Sequence, residues 1–163
     1  MTIRLFVTGG TVDKQYNAHN GALHFVDSHI TELLALGRCT VTVNVEQLML
    51  KDSLEMDDHD RARLAASCAA AVEERIVITH GTDTMVATAQ AVAAEQLAKT
   101  IVLTGAMVPF IMKHSDGMFN LGGAITAVQC LPHGVYLAMN GAVYPWDNVV
   151  KNLDALRFES LTG

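Results

Sequence analysis

Residues 75–85 read RIVITHGTDTM, and this stretch decides the fold. Ile76, Val77 and Ile78 form a continuous β-branched run, not an alternating one. Such a run predicts a strand buried on both faces, as in a parallel sheet. From Thr82 the chain continues as TDTMVATAQAVAAEQLAK, rich in good helix formers. A buried strand passing through a short polar turn into a helix is one step of a parallel α/β sheet. The turn packs an imidazole, two hydroxyls and a carboxylate into His80–Thr84. Helix capping accounts for either Thr82 or Asp83. It leaves the rest of the set unexplained.

The same step recurs on either side. IRLFVT (3–8) reads as a first buried strand ending in Gly9, Gly10 and Thr11. VDSHITELLALG (26–37) reads as a helix stopped by Gly37. CTVTVNVEQL (39–48) alternates with period two and predicts a strand. The helix expected over 55–74 collects its acids in the first turn, where the helix dipole favours them. TIVLTGAMVP (100–109) is the next strand, and the helix at 116–131 ends before Pro132. GVYLAMNG (134–141) is a further strand, with AVYP (142–145) as one more. The expected fold is α/β, a doubly wound, mostly parallel sheet with helices on both faces. Ligands of such sheets bind beyond the carboxyl ends of the strands. TGGT, KDS, HGTDT and TGAMVP all lie at those ends.

Composition narrows the function classes. The 163 residues carry a net charge of −6, with 50% hydrophobic and 17% charged residues. That length suits one domain over 1–163, and that balance excludes a disordered chain. A mildly acidic chain without a Lys/Arg cluster offers no footprint for nucleic acid or an anionic membrane. No apolar run reaches 18 residues, and the first ten residues do not form a secretory signal, so a cytoplasmic location is expected. Cys39, Cys68 and Cys130 are widely spaced and read as core thiols in a reducing compartment. Neither G-x-G-x-x-G nor a Walker loop is present, and no His pair has metal-ligand spacing. No cofactor and no metal are expected.

A threonine hydroxyl becomes a nucleophile or proton relay only beside a base or cation. The lysines are Lys14, Lys51, Lys99, Lys113 and Lys151. Lys99, at a helix end, reads as surface. Lys151 follows the last predicted strand at the edge that carries the turns, and it is the best-placed partner for Thr82 and Asp83. His59 and His114 read as exposed, and Asp116 and Asn120 as capping and bracing the helix they open. Trp146 reads as an interface anchor, and the methionines as packing.

TGGTVD, DSLEM, VITHGTDTM, VLTGAMVP and SDGMFNL together resemble the L-asparaginase family of threonine amidohydrolases, in order and in approximate spacing. The resemblance runs from Val7 to Lys151. It implies that Thr11 is the nucleophile, and that Thr82, Asp83 and Lys151 form a second constellation that activates water or the nucleophile. It implies that Ser53 holds the substrate α-carboxylate with backbone N–H groups at Gly81 and Thr82. Gly10 would line the same pocket, Asp83 would meet the α-ammonium, and backbone at Ala106 would contact the departing amide nitrogen.

Three departures from the family pattern stand out. The lid tyrosine is not in register: Tyr16 comes earlier in the loop, and His24 is the second candidate for its place. The glutamine after the binding serine is Leu54, with Glu55 next. The family's smaller C-terminal domain is expected to be absent, so closure would fall to this domain or a second copy, at least a homodimer. The segment beyond Lys151 and the FIM run at 110–112 are the candidate contacts. The expected reaction is hydrolysis of L-asparagine to L-aspartate and ammonia through an acyl-threonine. Glutamine or another small amide is the alternative substrate, and a non-catalytic amino-acid-binding or interaction module the alternative class.

Overall fold

Ile76, Val77 and Ile78 sit wholly buried in the middle of a six-stranded sheet. The computed structural model describes residues 1–162. The elements run in chain order as β1 (Thr2–Gly9), a hairpin of β2 (Lys14–Tyr16) and β3 (Leu23–Phe25), α1 (Ile30–Leu36) and β4 (Thr42–Lys51). Then come α2 (Asp58–Ala70), β5 (Arg75–Thr79), α3 (Met85–Ala94), β6 (Thr100–Thr104) and α4 (Gly117–Cys130). The last elements are β7 (Gly134–Met139), β8 (Ala142–Pro145), and a second hairpin of β9 (Val150–Asn152) and β10 (Arg157–Glu159). Short 3₁₀ turns at Thr11–Asp13 and Ser53–Glu55 follow β1 and β4.

The sheet order is β4-β1-β5-β6-β7-β8. The first five strands are parallel, and β8 closes the edge antiparallel to β7. Alternate residues of each strand enter two separate cores. Phe6, Ile76, Ile78, Ile101 and Leu103 pack with Leu64 and Cys68 of α2 and with Met85, Ala89 and Val92 of α3. Ile3, Leu5, Val7, Val77 and Val102 pack on the other face with Ile30 and Leu33 of α1 and with Leu121, Ala124 and Val128 of α4. Helices therefore cover both faces, and the doubly wound α/β fold expected from the sequence is the fold observed. Each fully buried Ile or Leu contributes roughly 1.5–3 kcal/mol, so the strands anchor the polar turns at their ends.

Local signals explain the element ends. Asp57 and Asp60 form a reciprocal capping box that starts α2. Gly37 caps α1 in ordinary helical geometry, while Arg38 takes the left-handed position at φ 49°. Gln96, at φ 51°, turns the chain after α3, which is shorter than its alanine-rich sequence suggested. β4 pairs only with β1 and leaves most of its first half exposed, an edge strand.

Several side chains differ from their sequence reading. Lys99 is not free surface: its ammonium donates to the Cys68 and Ala71 carbonyls at the end of α2, where orphan carbonyls attract a cation. Cys130 is exposed, while Cys68 is buried and its thiol pKa is pushed up to about 12, chiefly by burial. Trp146 is half-buried and packs against the core that α2 and α3 cover. Among the described residues, no helix is long and apolar enough to cross a membrane.

Candidate active site

The sheet order reverses between β1 and β5, because β4 lies on one side of β1 and β5 to β7 on the other. Crevices at such a reversal are where open α/β sheets bind ligands. Here the two turns that flank it are Gly9–Asp13 and His80–Thr84. Gly10, at φ +85°, lies against the second turn so closely that a Cβ on it would meet the Gly81 nitrogen at 2.3 Å. A Cβ on Gly81 would meet Ser53 Cβ and Oγ at 2.6 Å, and one on Gly105 would meet the His80 carbonyl oxygen at 2.3 Å. The turns at these strand ends therefore pack at separations that only glycine permits, backbone to backbone at Gly10 and Gly105 and against the Ser53 side chain at Gly81. Ser53 is buried beneath Gly81, and Thr84 Oγ1 donates to the Ser53 carbonyl at 2.8 Å. Neither Thr82 nor Asp83 caps α3: the N-cap is Thr84, without a side-chain cap bond.

Lys151 arrives from the far end of the chain on β9. Its ammonium donates to Thr82 Oγ1 at 2.8 Å and to Asp83 Oδ1 at 2.5 Å. The β9–β10 hairpin that carries it was not apparent in the sequence. Lys151 stands opposite Phe158 in that hairpin. The Phe158 N–H donates to Asn140 Oδ1 at 2.9 Å, and its carbonyl accepts from Tyr144 Oη at 2.9 Å. Both backbone groups of Phe158 thus point away from β9, which makes Phe158 and Lys151 a close non-hydrogen-bonded pair with side chains on one face. The Phe158 ring is buried in the core, and Lys151 keeps only 14% of its side chain exposed.

A second side-chain chain braces the Gly105–Val108 turn. The Asp116 carboxylate accepts from the N–H groups of Met107 and Val108, all at 3.0 Å, instead of capping α4. Asn120 donates to the Gly105 carbonyl at 2.9 Å and accepts from the Asn140 N–H at 3.0 Å. Hydrogen bonds therefore link the turn holding buried Ala106 to the residue that holds the lysine hairpin. The sequence signal for this link was Asn140 itself, an Asn before Gly at a strand end, here at φ 57°.

The β2–β3 hairpin leaves the sheet directly after Thr11. Its two ends meet at Asp13, whose buried carboxylate accepts from Ser28 Oγ at 3.0 Å and from the His29 N–H at 2.8 Å. Burial raises the Asp13 pKa above its usual 3.8, against the lowering effect of those two donors. Lys14 pairs with Asp52 beside Ser53, and this bond holds the Asp52 carboxyl below its ordinary range. Cross-strand partners share a face, so Tyr16 shares a face with Lys14, while His24, paired with Gln15, lies on the other. Tyr16 is 56% exposed, with its hydroxyl beside Gly21 at the hairpin tip. Thr11 is half-buried, and no hydrogen bond joins it to Tyr16 among the described residues. The structure brings Thr82, Asp83, Lys151, Gly10, Gly81 and Ser53 together. Among the described residues, neither Tyr16 nor His24 forms a hydrogen bond to Thr11.

A doubly wound α/β sheet with a glycine-flanked threonine and a Thr–Asp–Lys cluster at its switch point is the class these observations define. A sequence model described as Asparaginase, N-terminal, matches residues 2–161. The chain belongs to the asparaginase family. It is 31% identical over 162 residues to L-asparaginase 1 of Escherichia coli (strain K12), covering 92% of this chain and 47% of that protein. The thermostable L-asparaginase from Thermococcus kodakarensis superposes with a TM-score of 0.87 at 25% identity, over 100% of this chain and 52% of that one. The probable cytoplasmic L-asparaginase from Campylobacter jejuni gives 0.84 at 31% identity, over 98% and 53%. The chain thus spans about half the length of these relatives.

Proposed function

We propose that this chain hydrolyses the side-chain amide of L-asparagine to L-aspartate and ammonia, with Thr11 as nucleophile. The observation that carries this reading is the contact of Lys151 with both Thr82 and Asp83, beside the Gly10–Gly81 junction that brings the Thr11 turn against them. In that ion pair the lysine donates to the Thr82 oxygen, so the hydroxyl proton of Thr82 is free to be given and replaced. Thr11 Oγ attacks the amide carbon, and the carbonyl oxygen becomes an oxyanion held by backbone N–H groups. The Thr11 proton passes through the Thr82 hydroxyl to the departing nitrogen. The C–N bond breaks, ammonia leaves, and water then cleaves the acyl-threonine ester to regenerate Thr11. Ser53 and the adjacent backbone hold the α-carboxylate, Asp83 meets the α-ammonium, and Ala106 backbone meets the leaving nitrogen.

Two copies packing through exposed apolar residues at the β9–β10 hairpin, Leu153 and Leu156, and at Ile111 form part of this proposal. Sedimentation tests that part. The activity is tested by ammonia release from L-asparagine and L-glutamine, beside Thr11→Ala and Thr82→Ala. The expected result is turnover of asparagine that both variants lose while staying folded. A wild-type protein that releases no ammonia from either amide overturns it.

A further inference from the structure

The imidazole of His80 has no part in the amide-hydrolysis reading, yet its surroundings are specific. The ring is wholly buried. Its Nδ1 lies 2.7 Å from the carbonyl oxygen of the next residue, Gly81, and its Nε2 lies 2.8 Å from Thr88 Oγ1 on α3. A carbonyl oxygen only accepts, so Nδ1 carries the proton. Burial lowers the ring's pKa to about 4, with the Arg61 cation acting in the same direction, so the ring is neutral and holds one N–H. Nε2 is then a bare acceptor, and the Thr88 hydroxyl donates to it. The tautomer is fixed from both sides.

This has a consequence for the peptide that joins Gly81 to Thr82. The chain contains no cis peptide bond among the described residues. In a trans peptide the carbonyl and the following N–H point in opposite directions. With the Gly81 carbonyl turned inward to the imidazole, the Thr82 N–H is turned away from the buried ring, toward the open end of the sheet. Without the imidazole, that carbonyl would be a buried acceptor deprived of its donor, which is unfavourable. Gly81 has no side chain to oppose a rotation that relieves it.

We propose that His80 is a positioning residue: its Nδ1–H holds the Gly81 carbonyl inward, so that the Thr82 N–H stays aimed into the site as a donor to a substrate oxygen. The proposal rests on the amide-hydrolysis reading for its effect on rate, and on the hydrogen bonds alone for its effect on the peptide.

The test exploits the two ring nitrogens separately. The side-chain amide of asparagine reaches the place of Nδ1, and that of glutamine the place of Nε2. His80→Asn is expected to keep KM within about threefold of the parent. His80→Gln is expected to raise KM by roughly 10- to 100-fold, since a hydrogen bond to a charged carboxylate is among the stronger ones, with kcat changed far less. If glutamine serves as well as asparagine, the proposal is overturned. Two-bond proton–nitrogen NMR of the intact chain reads the ring without turnover: protonated Nδ1 is expected, and protonated Nε2 overturns the proposal. The Thr82 amide resonance is expected to move in His80→Gln and to stay in His80→Asn. These spectra decide the peptide's orientation even if no amide is hydrolysed, an outcome that would fail the functional reading alone. If the His80 variants do not fold, Thr88→Val removes the donor to Nε2 and keeps the ring. A mixed tautomer with about tenfold higher KM is expected there, and a mixed tautomer with unchanged KM and Thr82 resonance overturns the proposal.

Discussion

Gly10 and Gly81 touch backbone to backbone, and a methyl group on Gly10 would lie 2.3 Å from the Gly81 nitrogen. The two residues end neighbouring parallel strands, β1 and β5, and this contact joins the Thr11 turn to the Thr82 turn. Gly10→Ala therefore clashes with main chain, and φ +85° adds strain that any side chain would feel. The expected result is a loss of more than about 3 kcal/mol, beyond the ordinary range for a single substitution. Urea unfolding measures it. A loss below 1 kcal/mol would mean that the two turns separate at little cost.

Lys151→Met should separate catalysis from stability. Asp83 is 43% exposed, and ion pairs with an exposed partner contribute about 0–1 kcal/mol. The melting temperature should move by only a few degrees. Removing the cation from Thr82 should lower kcat by on the order of 100-fold or more. Calorimetry and an ammonia assay on one preparation give both values. A collapse of folding in step with activity would make Lys151 structural.

Asn140 tests the brace behind Lys151. Its backbone is left-handed at φ 57°, and its side chain holds the Phe158 N–H. Asn140→Gly keeps the backbone at ease but removes the acceptor, whereas Asn140→Ala does both kinds of harm. Alanine should be less stable than glycine by about 1 kcal/mol, and both should lose activity as the hairpin loosens. Equal stability of the two variants would mean that the turn relaxes to another conformation.

Acid should destabilise the protein through His80. Its folded pKa is about 4 against 6.5 for an ordinary histidine. Between those values the unfolded chain binds a proton that the native chain refuses, so stability falls as pH drops from 6.5 toward 4. The full effect is roughly 3 kcal/mol. Asp13 acts in the opposite sense: its raised pKa means that, above pH 3.8, the native chain keeps a proton that the unfolded chain has lost. Its share of stability falls as pH rises from 3.8 through the raised folded pKa. Unfolding free energies across pH 4–7 should slope less in His80→Asn than in the parent, and an unchanged slope would refute the assignment.

The strands at the centre were legible because burial on two faces demands continuous apolar runs, as in Ile76–Ile78 and Ile101–Leu103. The hairpins at 14–25 and 150–159 were not, because strands of three residues are too short to show a period. Asp116 and Lys99 were misread for a related reason. Asp116 opens α4, where capping is the simplest expectation, and Lys99 follows α3, where solvent is; each bonds instead to a segment brought near by the fold.

The order of strands and helices, the glycine and hydroxyl turns at the strand ends, and the family were already determined by the amino-acid sequence, since they depend on neighbours within a few positions. The sequence also pointed to Lys151 as the partner of Thr82, but the tertiary structure alone decided how the β9–β10 hairpin brings it there across 69 positions, that Tyr16 stays at the hairpin tip, and which nitrogen of His80 carries the proton. Those are set by packing between segments distant in the chain, where a side chain's partner is chosen by what the fold leaves buried and unpaired.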